Sequence, residues 1–174
     1  AAIDHIHSPK NPYAIAKSAT YNLVKLYRET YNLKCMTGVL FNHESHLRKE
    51  TFVTQKIISG AINCKKNQSD KLTLGNLEIK RDWGWAEEYV EAMQLIANSN
   101  NVKDQVICTG DLRSLKDFIQ IVFKKFDLNW KDFVKSDSKY FRASEVEKSF
   151  GDPKQLKNDL GWESKIKLEQ IIDK

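Results

Sequence analysis

Apolar residues recur at steps of three and four from Ala16 through Ala19, Leu23 and Tyr27 to Tyr31. That period predicts a helix over about 12–31. Asn11-Pro12 is a good start signal for it, because Asn caps and Pro suits the first helical position, and Asn32 is a plausible stop. The run that follows, LKCMTGVLF at 33–41, ends in three consecutive apolar residues and reads as a buried strand. NHESHLRKET, 42–51, has no period and reads as a loop at the carboxyl end of that strand, where open α/β sheets place their ligands.

A second helix is expected over about 51–65, with Phe52, Val53, Ile57, Ala61 and Ile62 on one side. KLTLGNLEIKRDWG reads as short extended pieces around Gly75-Asn76. Asp82 is read as the cap of a helix carrying Trp85, Tyr89, Val90, Met93 and Ile96, and QVICTG as a short strand. Ser114 caps a further amphipathic helix through Leu115, Phe118, Ile119, Val122 and Phe123. Asp152-Pro153 opens another that stops at Gly161, and the tail KLEQIIDK is helical. Trp83 and Trp85 read as packing residues. Elements shorten after the first strand, which suggests a subdomain boundary near 45–70.

A length of 174 residues suffices for one domain with a core, or a domain plus a small appendage. With 41% hydrophobic and 29% charged residues the chain reads as soluble and globular. No apolar run approaches the ~20 residues of a membrane helix. The opening AAIDHIHSPK has neither an initiator Met nor an apolar leader, so a piece of a longer protein is expected. The net charge of +5 is dispersed, and no nucleic-acid motif accompanies it. A local need for cations beside an anionic ligand such as a nucleotide diphosphate explains it better. Cys35, Cys64 and Cys108 are odd in number and far apart, which suits reduced cytosolic thiols and no metal site.

The stretch NPYAIAK places Tyr13 and Lys17 on one helix face. An ammonium held ~4 Å from a phenol favours the phenolate by about 4 kcal/mol at an effective dielectric near 20. Such a phenol can serve as a general base toward a sugar hydroxyl. The spacing also arises by chance, and an exposed aromatic beside a solvated charge stays open on spacing alone.

The order NPYAIAK, helix, apolar strand and GVLFNHES resembles the extended short-chain dehydrogenase/reductase superfamily. More narrowly, LFNHES, FVTQKI, LGNLEIKRDWGWAEEYVEAM and KYFRASEVEKSFGDPKQLKNDLGW resemble the GDP-mannose 4,6-dehydratase family from about residue 8 onward. The resemblance implies an α/β fold: the C-terminal part of a Rossmann-like domain with a small mixed α/β substrate-binding subdomain. Residues 1–50 would end the NADP-binding domain, and 51–174 would mainly bind the GDP-sugar, with elements returning to the sheet.

It further implies that Tyr13 is the base at the sugar C4 hydroxyl and that Lys17 holds the nicotinamide ribose. His43 and Arg48 would contact the NADP cofactor. Asn42, Lys56, Arg81, Arg142 and Glu145 would bind GDP-mannose. Hydride would leave C4, water would be lost across C5 and C6, and the hydride would return to C6, giving GDP-4-keto-6-deoxy-mannose. The implied protein is a cytoplasmic lyase, a homodimer or homotetramer, with Ala19, Leu23 and Leu26 suited to a subunit contact. Nucleic acid and membrane are not among the expected partners.

The chain departs from the family in carrying no grouped glycines among its seven, so the Gly-rich pyrophosphate turn is absent. It also lacks the Thr/Ser-x-Glu segment upstream of the tyrosine. His46 stands where the family commonly has Pro, and RASE replaces RPTE or RPAE while keeping Arg and Glu. The expectation is a C-terminal half that binds NADP weakly, has no turnover alone and self-associates through open strand edges. Another epimerase, dehydratase or reductase of the superfamily, or a non-catalytic nucleotide-sugar-binding fragment, are the alternatives.

Overall fold

The computed structural model describes residues 1–67, 70–142 and 144–174. Ala143, inside RASE, and residues 68–69, inside the expected boundary segment, lie outside the described residues. The first helix forms as read, α1 at Pro12–Tyr31. Asn11 Oδ1 accepts the Ala14 N–H at 2.8 Å, and Asn32 closes the helix at φ 52°. No residue of α1 is buried. Ile15, Leu23, Leu26 and Tyr31 are all at least half exposed. The helix is tethered instead by Arg28, which donates both terminal amino groups to Asp104, at 2.7 and 2.8 Å, and one of them to the Cys35 carbonyl at 3.1 Å.

Only the end of the 33–41 run is strand: β1, Gly38–Leu40. It pairs in parallel with β5, Gln105–Ile107, the strand expected in QVICTG. The Phe41 N–H still donates to the Ile107 carbonyl at 3.0 Å, and there the chain changes sheets. Residues Asn42–Glu44 then form β2, parallel to β4 at Lys80–Trp85. This corrects the reading of 42–51 as loop from its first residue. Three polar side chains gave no alternation to read; the β4 ladder, whose paired residues lie 41 positions further along the chain, makes them a strand.

In the second sheet β4 lies between β2 and an antiparallel β6, Leu112–Ser114, and also pairs with β8, Lys148–Ser149. A small parallel pair joins β3, Leu72–Leu74, to β7, Val134–Ser136. The remaining helices are α2 at Val53–Lys66, α3 at Ala86–Asn98, α4 at Leu115–Lys125, α5 at Lys154–Leu160 and α6 at Leu168–Asp173. Helix α4 carries a reciprocal cap: Ser114 Oγ accepts the Asp117 N–H at 3.0 Å, and Asp117 accepts the Ser114 N–H at 2.9 Å. Helix α5 ends at Gly161, whose φ of 71° suits the left-handed terminus.

Two apolar clusters result. One gathers Ile57 and Ala61 of α2, Phe118 and Val122 of α4, Ile171 of α6, and the tryptophans Trp83 and Trp85. The other gathers Tyr89, Ala92 and Ile96 of α3 with Ile107, Leu156 and Trp162. Both tryptophans are therefore packing residues, as read from the sequence.

Asp82 is not a helix cap. It lies inside β4, fully buried, and α3 starts four residues later at Ala86. The polar helix-start signal misled because KRDWGW supplies a strand whose acid points into the protein. Val90 and Met93, expected on the buried face of α3, are 50% and 40% exposed.

Gly84 is needed for packing. A Cβ there would lie 2.3 Å from Tyr89 Cε1 and 2.6 Å from its hydroxyl. Gly84→Ala is therefore expected to destabilise by about 3 kcal/mol, lowering the thermal midpoint by about 10 °C. A midpoint within ~2 °C of the parent would show that Tyr89 can move aside at little cost.

Candidate functional site

One cavity of about 690 Å³ is lined by α1, the chain before it and β1. Tyr13, Lys17 and His43 all face it, together with His5, His7 and Thr37. The helical spacing brings the two side chains together. Lys17 Nζ sits 5.7 Å from the centroid of the Tyr13 ring, over its face. Tyr13 is 72% exposed, so the phenol stands at the open side of this cavity. Residues 1–9 form the facing wall. The Ala1 amino group donates to the Phe150 carbonyl at 2.7 Å, and the Asp152 N–H donates to the Ala1 carbonyl at 2.8 Å.

His43 reaches the cavity from β2. Its Nδ1 is 2.9 Å from the Phe41 carbonyl, the geometry of an N–H donor at that nitrogen, which leaves Nε2 to face outward. The ring packs 5.3 Å from that of Tyr89. Gly84 is the β4 partner of His43, and its missing side chain makes room for the tyrosine. Asn42 precedes it, paired with Trp83.

Arg48 is held inside the chain. Its Nε lies 3.1 Å from Glu44 Oε2, with the N–H not aimed along that line, and its guanidinium carbon lies 3.9 Å from the Phe52 ring centroid. Lys56 Nζ donates to the Thr73 carbonyl at 3.2 Å and sits 5.7 Å from the Tyr140 ring centroid. It lines a separate cavity of about 310 Å³ with Glu50, Ser59 and Asp70.

A second group assembles at the start of β4. Arg81 faces Arg113 across β6 and Ser149 across β8. Arg113 is neutralised by Asp111 at 3.1 Å and Glu169 at 2.9 Å. Among the described residues Arg81 has no ion pair; its NH1 donates to the Lys80 carbonyl at 2.8 Å. Burial pushes its guanidinium below the ordinary value, Glu145 opposes that, and Arg142 adds to it. The three residues named from sequence, Arg81, Arg142 and Glu145, thus share one electrostatic environment. Arg142 is exposed and forms no ion pair with Glu145 among the described residues, although the Glu145 N–H donates to the Arg142 carbonyl at 3.1 Å. Two like-charged guanidiniums with one carboxylate leave a surplus positive charge suited to an anion.

The sequence reading missed Glu44. This residue is 6% exposed and accepts the Thr54 hydroxyl at 2.7 Å. Burial raises its carboxyl above the ordinary range, while the Thr54 hydrogen bond, Arg48 and His43 work the other way. The native state therefore holds this proton more tightly than the unfolded chain. Stability from this group is present at low pH and is lost as pH rises through the raised value. Glu44→Gln is expected to match or exceed the parent at pH 7, by on the order of 1 kcal/mol, and to lose that margin near pH 4. Urea unfolding at both pH values checks it; a margin larger at pH 4 reverses the sign. The signal available in the sequence was an acid next to a candidate site histidine with a Thr ten residues on, which no short-range pattern connects.

The GDP-mannose 4,6 dehydratase family model matches residues 3–174. The chain belongs to that family. GDP-mannose 4,6 dehydratase 1 of Arabidopsis thaliana is 42% identical over 164 residues, covering 94% of this chain and 45% of the relative. The GDP-mannose 4,6 dehydratase of Homo sapiens is 35% identical over 181 residues, covering 94% and 49%. The chain thus spans about half the length of the curated relatives it matches.

Among solved structures, RMD from Pseudomonas aeruginosa complexed with NADPH superposes with a TM-score of 0.86 at 20% identity, covering 98% of this chain and 56% of that one. A dTDP-glucose 4,6-dehydratase from Bacillus anthracis in complex with NAD gives 0.82 at 18%, covering 95% and 50%. At such identities these establish the fold alone, which this chain shares over about half the length of each neighbour. No helix is long and apolar enough to cross a membrane among the described residues.

Proposed function

We propose that this chain is the catalytic-helix and substrate-binding half of a cytoplasmic GDP-mannose 4,6-dehydratase, a lyase that converts GDP-mannose to GDP-4-keto-6-deoxy-mannose. The observation that carries the reading is the convergence of Tyr13, Lys17 and His43 on one cavity in a chain of this family. Residues 1–50 with β5 and α3 would serve the cofactor side, and most of 51–174 the sugar nucleotide. The two apolar clusters support that division.

The residues present fit only one end of NADP. Lys17 offers a donor and His43 an imidazole nitrogen at the cavity wall, whereas no Gly-rich turn exists in this chain for the pyrophosphate. When bound, the cofactor would supply a hydride acceptor and donor. The chain's own groups serve the proton transfer at C4 and part of the binding, and the acid/base for loss of water is expected from a segment this chain does not carry. Tyr13 takes the proton from the C4 hydroxyl, and the Lys17 ammonium over its ring stabilises the phenolate that accepts it. Lys17 also holds the nicotinamide ribose, and His43 and Arg48 complete the cofactor side. Asn42, Lys56, Arg81, Arg142 and Glu145 hold the GDP-sugar, with the surplus charge of Arg81 and Arg142 set against the diphosphate. A dimer or tetramer formed through α1 would cover its exposed Leu23 and Leu26.

Calorimetry with GDP, UDP and dTDP tests the nucleotide assignment on this chain directly. GDP is expected to bind about tenfold more tightly than either pyrimidine nucleotide, and Arg142→Ala to weaken it about tenfold, the loss of one charge-assisted pair. Equal affinity for the three nucleotides would favour a different member of the superfamily.

A further inference from the structure

The end of β2 carries a carboxylate that the proposed reaction does not use. Glu44 is buried, and its Oε2 is shared by the Thr54 hydroxyl at 2.7 Å and Arg48 Nε at 3.1 Å. Thr54 is itself 3% exposed and belongs to the first turn of α2. Phe52, at the start of that helix, packs its ring under the Arg48 guanidinium at 3.9 Å. The loop 45–52 is therefore closed from both ends onto one arginine.

The grip has an unusual direction. A carboxylate normally takes a guanidinium through two nitrogens side by side. Here the closest approach is at Nε, an ionic contact whose N–H is not aimed at the carboxylate, and among the described residues neither terminal amino group of Arg48 donates a hydrogen bond to the protein. A planar fork pinned at its stem, with one face on an aromatic ring, has lost most of its freedom yet keeps both outer donors for a ligand. Burying an acid to obtain this is costly, which points away from mere packing.

We propose that Glu44 is a positioning residue: braced by Thr54, it holds Arg48 by its stem against Phe52, so that the guanidinium fork is presented to the phosphate of a bound ligand. The identity of that ligand as the dinucleotide rests on the function proposed above.

The test uses the 174-residue chain, arginine Nε–H NMR, and inorganic pyrophosphate and NADP⁺ as probes. In the parent, the Arg48 Nε–H signal is expected to be slow in solvent exchange and to shift with either probe. Glu44→Gln preserves shape and the Thr54 bond but not the charge. It is expected to keep the urea midpoint at or above the parent's, to speed Arg48 exchange about fivefold and to weaken pyrophosphate about fivefold. Thr54→Val, which removes the brace and leaves the charge, gives a smaller change in the same direction and serves if the first variant misfolds.

An Arg48 signal identical to the parent's in both variants overturns the proposal, because a packing role alone predicts that result. A held Arg48 that neither probe shifts upholds the grip and overturns the assignment of Arg48 to a cofactor phosphate.

Discussion

Asp82→Ala is expected to destabilise the chain by about 3–5 kcal/mol, a large share of the total stability of a domain this size. The buried carboxylate accepts three hydrogen bonds, from the Thr109 N–H at 2.9 Å, the Thr109 hydroxyl at 2.7 Å and the Gly110 N–H at 2.8 Å. Among the described residues it has no ion-pair partner, so N–H and O–H dipoles alone hold its charge. Those donors lie just past the end of β5, in the β1–β5 sheet, while Asp82 lies in β4 of the other sheet. One side chain thus ties the two sheets together.

Removing it orphans two backbone donors, and each charge-assisted bond contributes about 1.5–3 kcal/mol. Asp82→Asn keeps the shape but turns an amide N–H₂ toward one set of donors, so about 2 kcal/mol is expected. Urea unfolding with an unchanged slope would measure both. A cost below ~0.5 kcal/mol for the alanine variant would mean that the turn at Thr109 stands without its anchor.

Asp82 also marks where sequence reading stops working. Helices α1, α4 and α5 were legible because their signals are local: Asn11-Pro12, Ser114 with Asp117, and Asp152-Pro153 with Gly161 all act within one turn. The strands were less so. β2 reads as a polar loop, and Asp82 as a helix cap although KLTLGNLEIKRDWG around it reads as extended, because the pairing partners and the groups that satisfy Glu44 and Asp82 are not adjacent in sequence. Likewise the sequence could place Tyr13 and Lys17 on one face, since that depends on helical period alone. That His43 joins them on one cavity, and that Arg81 feels the charges of Arg142 and Glu145, depends on sheet register that no short pattern encodes.

The open face of α1 bears on catalysis. Six large apolar or aromatic side chains of an otherwise well-capped helix, from Tyr13 to Tyr31, are exposed, and among the described residues β1 has one neighbour, β5. A strand with one free edge and a helix with no buried residue are both poised to pack against further structure. Tyr13 stands on this open helix as well, 72% exposed, with Lys17 over its ring.

We therefore expect the 174-residue chain by itself to form no 4-keto sugar from GDP-mannose. Mixed with a polypeptide covering the N-terminal half of a full-length relative, it is expected to gain turnover, as α1 is covered, the cavity is closed to water and a pyrophosphate turn is supplied. Tyr13→Phe in that mixture should lower kcat by about 10²–10⁴-fold, the usual contribution of a positioned general base. The size of the bound complex should not change, because the ring that packs is kept and only the hydroxyl is lost. Lys17→Met should lower kcat as well and also weaken NADP⁺, since the proposed function gives it both the phenol and the ribose. Product detected from the chain alone would contradict its proposed dependence on a second half. Turnover in the mixture that survives Tyr13→Phe within about threefold would remove the phenol from the reaction and leave the cavity as a binding site only.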